Sequence, residues 1–347
     1  MHKISVEKHW NNYLKHYSAQ QKDVYFTEEY VRLYESDKDK PECFVYQDGE
    51  NLFLYPYLKR RIGIADKEVY DFETAYGYAG PLSNNKEPEF VANASIAFMN
   101  TCRERRIICG FTRFHPLLKS QQLIKAEKGS GIFLDRKTVA INLELSEQEI
   151  WDNEVDAHHK RAIKKAEKSG VTFIVDDKLR FLNDFVDMYS KTMGRRNADS
   201  FYFFNEDYFN KIKTTLGKST ILGLVFLNKE LIAGALFYRY EQFGHYHLGG
   251  SRQDCLKFFP NNYLFFQMAL YFKERGVKIF HLGGGTDSRS DNSLYRFKKR
   301  FSRHEFDFYI GKMIFDESIY HQICSEWESR FPEKKGKFEN LLLKYRF

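Results

Sequence analysis

Residues 158–170, HHKRAIKKAEKSG, put Lys160, Lys164 and Lys168 on one i, i+4 ridge of a helix and Arg161 with Lys165 on the next, over an apolar side of Ala162, Ile163 and Ala166. Like charges at that spacing repel by a few tenths of a kcal/mol per pair. A helix built only for structure would intersperse more acids than the single Glu167 here, so the ridge reads either as a solvated face or as a donor- or anion-binding face of Lys160, Arg161, Lys164 and Lys165. A second stretch, HLGGGTDSRSDNSLYRFKKRFS (281–302), sets three glycines behind an apolar run and a Lys/Arg cluster threaded with aromatics. Its glycines either aim backbone N–H groups at an anion or permit a tight exit from a sheet. It matches neither G-x-x-x-x-G-K-[ST] nor G-x-G-x-x-G. On a helix, Leu294, Phe297 and Phe301 form an apolar stripe, which leaves Lys298 and Lys299 to face a cleft. A third stretch, RRIGIA (60–65), fits the R-x-x-G-x-A pattern of acyl-CoA pyrophosphate binding. That role needs loop amides free at a helix N-terminus, whereas β-like sequence follows here.

Other chemistries find no support. There is no G-x-S-x-G elbow and no H-E-x-x-H. The five cysteines, Cys43, Cys102, Cys109, Cys255 and Cys324, are never spaced as CxxC, so neither a disulfide framework nor a metal site is expected, and a reducing cytosol fits best. His245, His247 and His281 sit in strand-like runs and read as hydrogen-bonded core residues.

The elements that must position these residues follow from pattern. A chain of 347 residues exceeds a single core and splits into two domains of roughly 150 residues. Hydrophobic residues are 43% and aromatic residues 17%, enough for two packed cores. CFVYQ (43–47) and NLFLYPYL (51–58), separated by Asp48-Gly49-Glu50, read as a hairpin. A third β-like run (68–82), a helix opened by Pro88 and a strand at 107–114 complete one unit. The second starts with TVAINL (138–143), after which Ser146 and Glu149 form a capping box at the head of a helix expected to run to Gly170. A strand, two helices, a three-strand meander (TILGLVFL, LIAGALFYRY, GHYHLGG), a helix over 261–275 and the strand VKIFHL follow. The expected boundaries are 1–137, 138–312 and a helical tail, 313–347, packing back on the body.

The net charge of +7 favours anionic partners without approaching the density of a DNA-binding domain, so DNA is not expected. No apolar leader or run of eighteen apolar residues is present, which leads to the expectation of a cytoplasmic protein with at most peripheral membrane association.

Taken together, HHKRAIKKAEKSGV, SKTMGRRNADSFYFF, GHYHLGGSRQDCLKFFPNNYLFFQMALYFKERGVKIFHLGGG and SLYRFKKRF resemble, in order and spacing, the FemABX branch of GNAT-like acyltransferases. DFETAYGYAGPL and FTRFHPLL look like the N-domain signatures of its shorter members, so the resemblance covers most of residues 40–312. It implies an α+β fold of two tandem GNAT-like (acyl-CoA N-acyltransferase) domains with mixed central sheets around a shared cleft. The implied activity is transfer of an acyl group to an amine of a cell-envelope precursor, without a covalent enzyme intermediate. The donor would be aminoacyl-tRNA or acyl-CoA, with no tightly bound cofactor, and the acceptor a peptidoglycan precursor or a nucleotide-linked amino sugar, nucleotide- or lipid-linked. The chain lacks the heptad-bearing arm of the FemA-like members and looks like the short FemX-like or N-acyltransferase type.

Residue by residue, Thr192–Arg195 is similar to the family's T-x-x-R near the nucleotide-linked acceptor, which makes Arg195, backed by Arg196, a candidate phosphate clamp. Lys298 resembles the F-K lysine facing the donor, and Asn262, Gly283 and Gly284 match cleft-lining positions. Tyr76, Tyr78 and Arg113 complete the expected substrate-binding set. Aminoacyl-transferring relatives tend to carry an acid where this chain has His115 before Pro116. Since an attacking amine must be neutral, His115 is the expected general base, its ordinary pKa of about 6.5 suiting that task. The basic ridge leans toward tRNA as donor, while the missing arm and His115 lean toward acyl-CoA. The alternative is a non-catalytic RNA- or glycan-binding module that keeps the double fold.

Overall fold

The structure, a computed structural model, describes residues 2–63, 68–125, 129–196 and 203–347. The chain divides into two compact units, residues 1–135 with 307–347, and residues 136–306. Among the described residues no helix is long and apolar enough to cross a membrane.

The first unit opens with β1 (Lys3–Glu7), the short helices α1 (Asn11–Leu14) and α2 (Glu28–Arg32), and the hairpin β2 (Asp39–Asp48) and β3 (Asn51–Arg61). Asp48 pairs with Asn51, so Gly49 and Glu50 make the turn, and Gly49 takes φ 60°, which costs glycine nothing. β4 (Tyr70–Glu73), β5 (Leu82–Ser83), α3 (Pro88–Glu104) and β6 (Ile107–Arg113) follow. The sheet runs β1-β2-β3-β4-β6, with β5 on β3 and β4 parallel to β6. α3 buries Phe90, Val91, Ala94, Phe98 and Cys102, the i, i+4 stripe of an amphipathic helix. Phe98 stacks on Tyr55 at 4.2 Å and meets Phe44 and Phe72 edge-on. A Cβ at Gly110 would lie 2.2 Å from the Phe72 ring, so β6 reaches this aromatic core only with glycine there.

Strand β7 (Gly131–Asn142) leads into the second unit. The Ser146–Glu149 capping box is present, but its helix α4 is only Glu147–Glu149 and passes into a π-helical turn over Ile150–Glu154. The single helix expected up to Gly170 is thus two helices. A new start, α5 (Ala157–Lys168), is capped by the Asp156 carboxylate on the His159 N–H, and it breaks the run at Val155. β8 (Thr172–Asp176), α6 (Leu182–Arg195) and α7 (Glu206–Thr215) precede the meander β9 (Thr220–Leu227), β10 (Glu230–Tyr240), β11 (Phe243–Ser251). α8 (Pro260–Glu274), β12 (Ile279–Gly284) and α9 (Ser293–Lys299) complete the unit. Its sheet runs β7-β12-β11-β10-β9-β8, antiparallel except for β11 with β12. α8 lies on this sheet through Leu264, Phe265, Met268 and Phe272, all buried with Phe237 and Phe280 in one core.

Strand β13 (Glu305–Ile314), absent from the sequence reading, pairs antiparallel with β6. α10 (Glu317–Arg330) and α11 (Lys335–Phe338) follow, and Ile323, Cys324 and Trp327 of α10 pack with Ile108 and Cys109 of β6 and with Tyr345. All five cysteines are free and buried.

Candidate functional site

In the second unit the parallel strands β11 and β12 pair over three residues, Phe243–His245 against Ile279–His281, and then part, although β11 runs on to Ser251. β12 shifts register against β7 between His281 and Gly283, and Gly283 holds φ 76°, a left-handed conformation that glycine adopts without strain. A Cβ at Gly284 would fall 2.8 Å from the Lys137 carbonyl oxygen. The glycines therefore serve a close strand exit, and the carbonyl of Gly284 becomes a fixed acceptor.

α9 delivers a cation to that acceptor. Asn292, 6% exposed, caps the helix by accepting from the Leu294 and Tyr295 N–H groups, while its Nδ2 donates to Thr286 Oγ1 at 2.7 Å. The expected stripe of Leu294, Phe297 and Phe301 is corrected: the helix buries Tyr295 and Lys298, with Leu294 and Phe297 only partly covered and Phe301 buried beyond its end. Lys298 is 4% exposed. Its Nζ donates to the Gly284 carbonyl at 2.8 Å and stands 5.0 Å above the Tyr246 ring, on β11 just past the paired segment. Among the described residues it forms no ion pair. Burial, then the Arg136 charge, push its pKa down to about 7. Lys298 can thus donate as an ammonium or accept a proton as an amine near neutrality. Lys299 instead points out and pairs with Glu305 at 2.6 Å.

At the end of α6, Thr192 Oγ1 donates to the Met188 carbonyl and accepts from the Ser251 N–H, while both Arg195 Nη atoms donate to the Ser251 carbonyl at 3.2 Å. Arg195 lines a cleft of about 460 Å³ with Asp187, Lys191, Ser251 and Arg252. Arg196 follows exposed, and its charge tempers the rise that burial causes in the Tyr246 pKa. Residues 197–202 of the SKTMGRRNADSFYFF motif lie outside the described residues, as do 64 and 65 of RRIGIA. Asn262 is 7% exposed in the first turn of α8, beside Asn261, whose Nδ2 donates to Ser251 Oγ. On α5, Arg161, Lys164 and Lys165 are exposed, and Lys160 Nζ donates to the Asp152 carbonyl. Lys164 lies over Trp151 at 5.6 Å and Lys165 over Phe259 at 5.1 Å, and none of the four forms an ion pair among the described residues.

In the first unit, His115 is fully buried. Its Nδ1 accepts from the Leu118 N–H at 3.2 Å, which places the proton on Nε2, 2.9 Å from Oδ2 of the equally buried Asp23. Phe26 stacks on the ring and Tyr25 and Tyr78 meet it edge-on. Tyr78 is partly exposed, as is Tyr76, whose carbonyl accepts from Tyr30 Oη. Arg113, two residues before His115, donates Nη1 to the Thr74 carbonyl at 2.9 Å and to Glu73 at 3.4 Å over the Phe111 ring. Arg60 of RRIGIA lies within β3, paired with Asp71 and Glu73. Tyr246, Asn292 and Asp23 were missed by sequence reasoning. The Asn-Ser-Leu start of α9 carries a capping signal for Asn292, whereas Asp23 meets its partner from 92 residues away.

Residues 154–299 match the family described as acetyltransferase (GNAT) domain. No curated protein matches the sequence. Among solved structures the chain is similar to FemX, at 14% identity and TM-score 0.67 over 92% of this chain and 99% of that one. It is also similar to the C-terminal domain of a putative lysylphosphatidylglycerol synthetase from Agrobacterium fabrum, at 14% identity and TM-score 0.56 over 87% of this chain and 92% of that one. A third structure, L-PGS from Bacillus licheniformis, gives 15% identity and TM-score 0.51 over 82% and 86% of the two chains.

Proposed function

We propose that the chain, whose residues 154–299 match an acetyltransferase (GNAT) domain and whose fold is similar to that of FemX, is a FemABX-like acyltransferase that forms an amide on an amine of a cell-envelope precursor. The donor is an acyl-CoA or an aminoacyl-tRNA, and the acceptor is a nucleotide- or lipid-linked amino sugar or peptide. The observation that carries this reading is Lys298, a buried lysine with no acidic partner among the described residues, anchored on Gly284 where β11 and β12 part.

In this reading the acceptor nitrogen attacks the donor's acyl carbon, and a carbon–nitrogen bond replaces the bond to the donor's sulfur or oxygen. Negative charge gathers on the carbonyl oxygen, and a preorganised ammonium in a water-poor site stabilises it far better than one in water. Lys298 has that character, since its hydrogen bond to Gly284 and its contact with Tyr246 fix the amine before substrate arrives. No covalent enzyme intermediate is needed, because positioning and charge stabilisation supply the catalysis. In the second unit Arg195 and Arg196 are assigned to an anionic group of the acceptor and the basic face of Lys160, Arg161, Lys164 and Lys165 to the donor's phosphates; in the first unit Tyr76, Tyr78 and Arg113 are assigned to substrate binding. Asn262, Gly283 and Gly284 are assigned to substrate binding in the cleft of the second unit.

His115 is proposed as the base that takes the amine's proton, a role that requires the Leu118 N–H to leave its Nδ1 lone pair while Asp23 holds the Nε2–H. A His115→Gln protein retaining full turnover from pH 6 to 8 would remove it from that role.

The test is a turnover screen, read by mass spectrometry, of acetyl-CoA and charged tRNA against nucleotide-linked amino sugars and muropeptides. Amide product from the native protein and none from Lys298→Ala is expected. Binding without product from any pair would leave the non-catalytic module as the reading.

A further inference from the structure

Asp71, in the middle of β4, is fully buried and accepts four donors. Oδ1 receives Arg60 Nε at 2.8 Å and Arg346 Nη2 at 2.9 Å, and Oδ2 receives Arg346 Nε and the Tyr345 hydroxyl, each at 2.9 Å. The tail residues are locked in turn, Arg346 Nη1 on the Arg61 carbonyl and Tyr345 Oη beside Cys109 Sγ at 3.0 Å. From Asp71 the pairing runs outward. Arg60 gives Nη1 to Glu73 Oε1 at 2.5 Å, and Glu73 Oε2 lies 3.4 Å from Arg113 Nη1. Three guanidiniums therefore share two carboxylates in an unbroken line. The remaining acid, Asp39, stands 4.0 Å from Arg60 Nε with its side chain 30% exposed.

The weakest pairing in the line falls on the outer member. Arg113 is 23% exposed; it donates to the Thr74 carbonyl at 2.9 Å, and its one ion pair among the described residues is the long contact with Glu73, which already serves Arg60. The inner end explains why Glu73 is so divided. Arg60 is 8% exposed, and its buried Nη2 has no hydrogen-bond partner among the described residues. While Arg346 occupies Oδ2, Arg60 cannot grip Asp71 with two prongs and spends Nη1 on Glu73. Remove Arg346, and the idle Nη2 has an oxygen to turn to, since a two-pronged Arg–carboxylate pair is the stronger arrangement. Glu73 is then released to close on Arg113.

We propose that Arg346 is a positioning residue: by holding Asp71 it keeps Glu73 shared, so that Arg113 stays open to an anionic group of the acceptor. This rests on the assignment of Arg113 to substrate binding. It gives the far end of the chain a part in substrate affinity through a line of four side chains, none of which it shares with Lys298.

Phenylglyoxal reacts with arginines in proportion to how loosely they are paired, and the rate at Arg113 can be followed by peptide mass spectrometry without knowing the acceptor. Arg346→Gln should slow modification of Arg113 about two- to fivefold, the range of a partly exposed ion pair. Arg346→Lys should restore part of the rate. Tyr345→Phe removes a donor from the same carboxylate oxygen without changing charge and should leave the rate unaltered, which a purely structural role of the tail would not predict. Glu73→Gln, on a partly exposed side chain, should raise the rate, and in that background Arg346→Gln should have no effect. An unchanged rate in Arg346→Gln, equal slowing by Tyr345→Phe, or slowing by Glu73→Gln would overturn the proposal. Should Arg346→Gln not fold, the direction of the Glu73→Gln effect decides. The acceptor assignment fails separately, if Arg113→Gln leaves KM for the nucleotide-linked amino sugar of the turnover assay unchanged.

Discussion

Replacing Lys298 by Met keeps the length of the side chain and removes its amine. Bringing a lysine from its ordinary 10.5 to about 7 corresponds to about 5 kcal/mol held against the charged form. The sign follows from proton counting. Between pH 7 and 10.5 the unfolded chain carries a proton on Lys298 that the folded chain does not, so native stability rises with pH across that window. Below pH 7 both states are protonated and the whole penalty is present. Lys298→Met is therefore expected to be more stable than the native protein at pH 7, by up to about 5 kcal/mol. The advantage should shrink toward pH 10.5, while turnover is lost. The assay is denaturant unfolding of both proteins at intervals from pH 6 to 10, read as the difference, which cancels groups common to both. A variant less stable at pH 7, or a difference that does not change with pH, would refute the picture of a buried, acid-free lysine.

Three further outcomes follow from the same structure. Asn292→Ala removes the cap of α9 and should cost about 1 kcal/mol in unfolding experiments, with a larger loss in kcat than in acceptor KM because the helix carries Lys298. His159, 2% exposed under Phe297 and Phe301, is driven by burial to a pKa of about 4. The unfolded chain binds its proton first, so stability should fall as pH drops from 6.5 to 4, and His159→Gln should flatten that slope in acid melts. Phe98→Ala empties the aromatic core under α3 and should cost about 3–5 kcal/mol, while leaving chemical reactivity at Lys298 unchanged in labelling experiments.

The sequence made legible those parts of the fold whose periodicity is local. The hairpin at Gly49, the meander β9–β11 and the α8–β12 pair are found where apolar spacing and turn residues predict them. The break between α4 and α5 was hidden because Ser146 is a true cap, and a second cap at Asp156 comes with no glycine or proline between them. β13 was missed because its alternation is weak, its burial being scattered along ten residues. At the site, glycines and a lysine in the right order pointed to Gly284 and Lys298, but burial of that lysine runs against every compositional expectation. A seven-residue helix is too short for the stripe of Leu294, Phe297 and Phe301 to decide which face turns inward, and the cap at Asn292 decides it instead. The histidine-carboxylate pair of the first unit and the line from Arg346 to Arg113 join residues far apart in the chain, which no spacing rule connects.

The central claim is that the cation at the parting of β11 and β12 serves acyl transfer to an amine. The most direct measurement is single-turnover amide formation by the native protein and by Lys298→Met, each with acetyl-CoA and with charged tRNA, on a nucleotide-linked amino sugar and on a muropeptide. The account predicts product from the native protein with one donor class and at least a hundredfold less, roughly the loss of one oxyanion donor, from a Lys298→Met protein that is folded and more stable. Equal product from both proteins would contradict it.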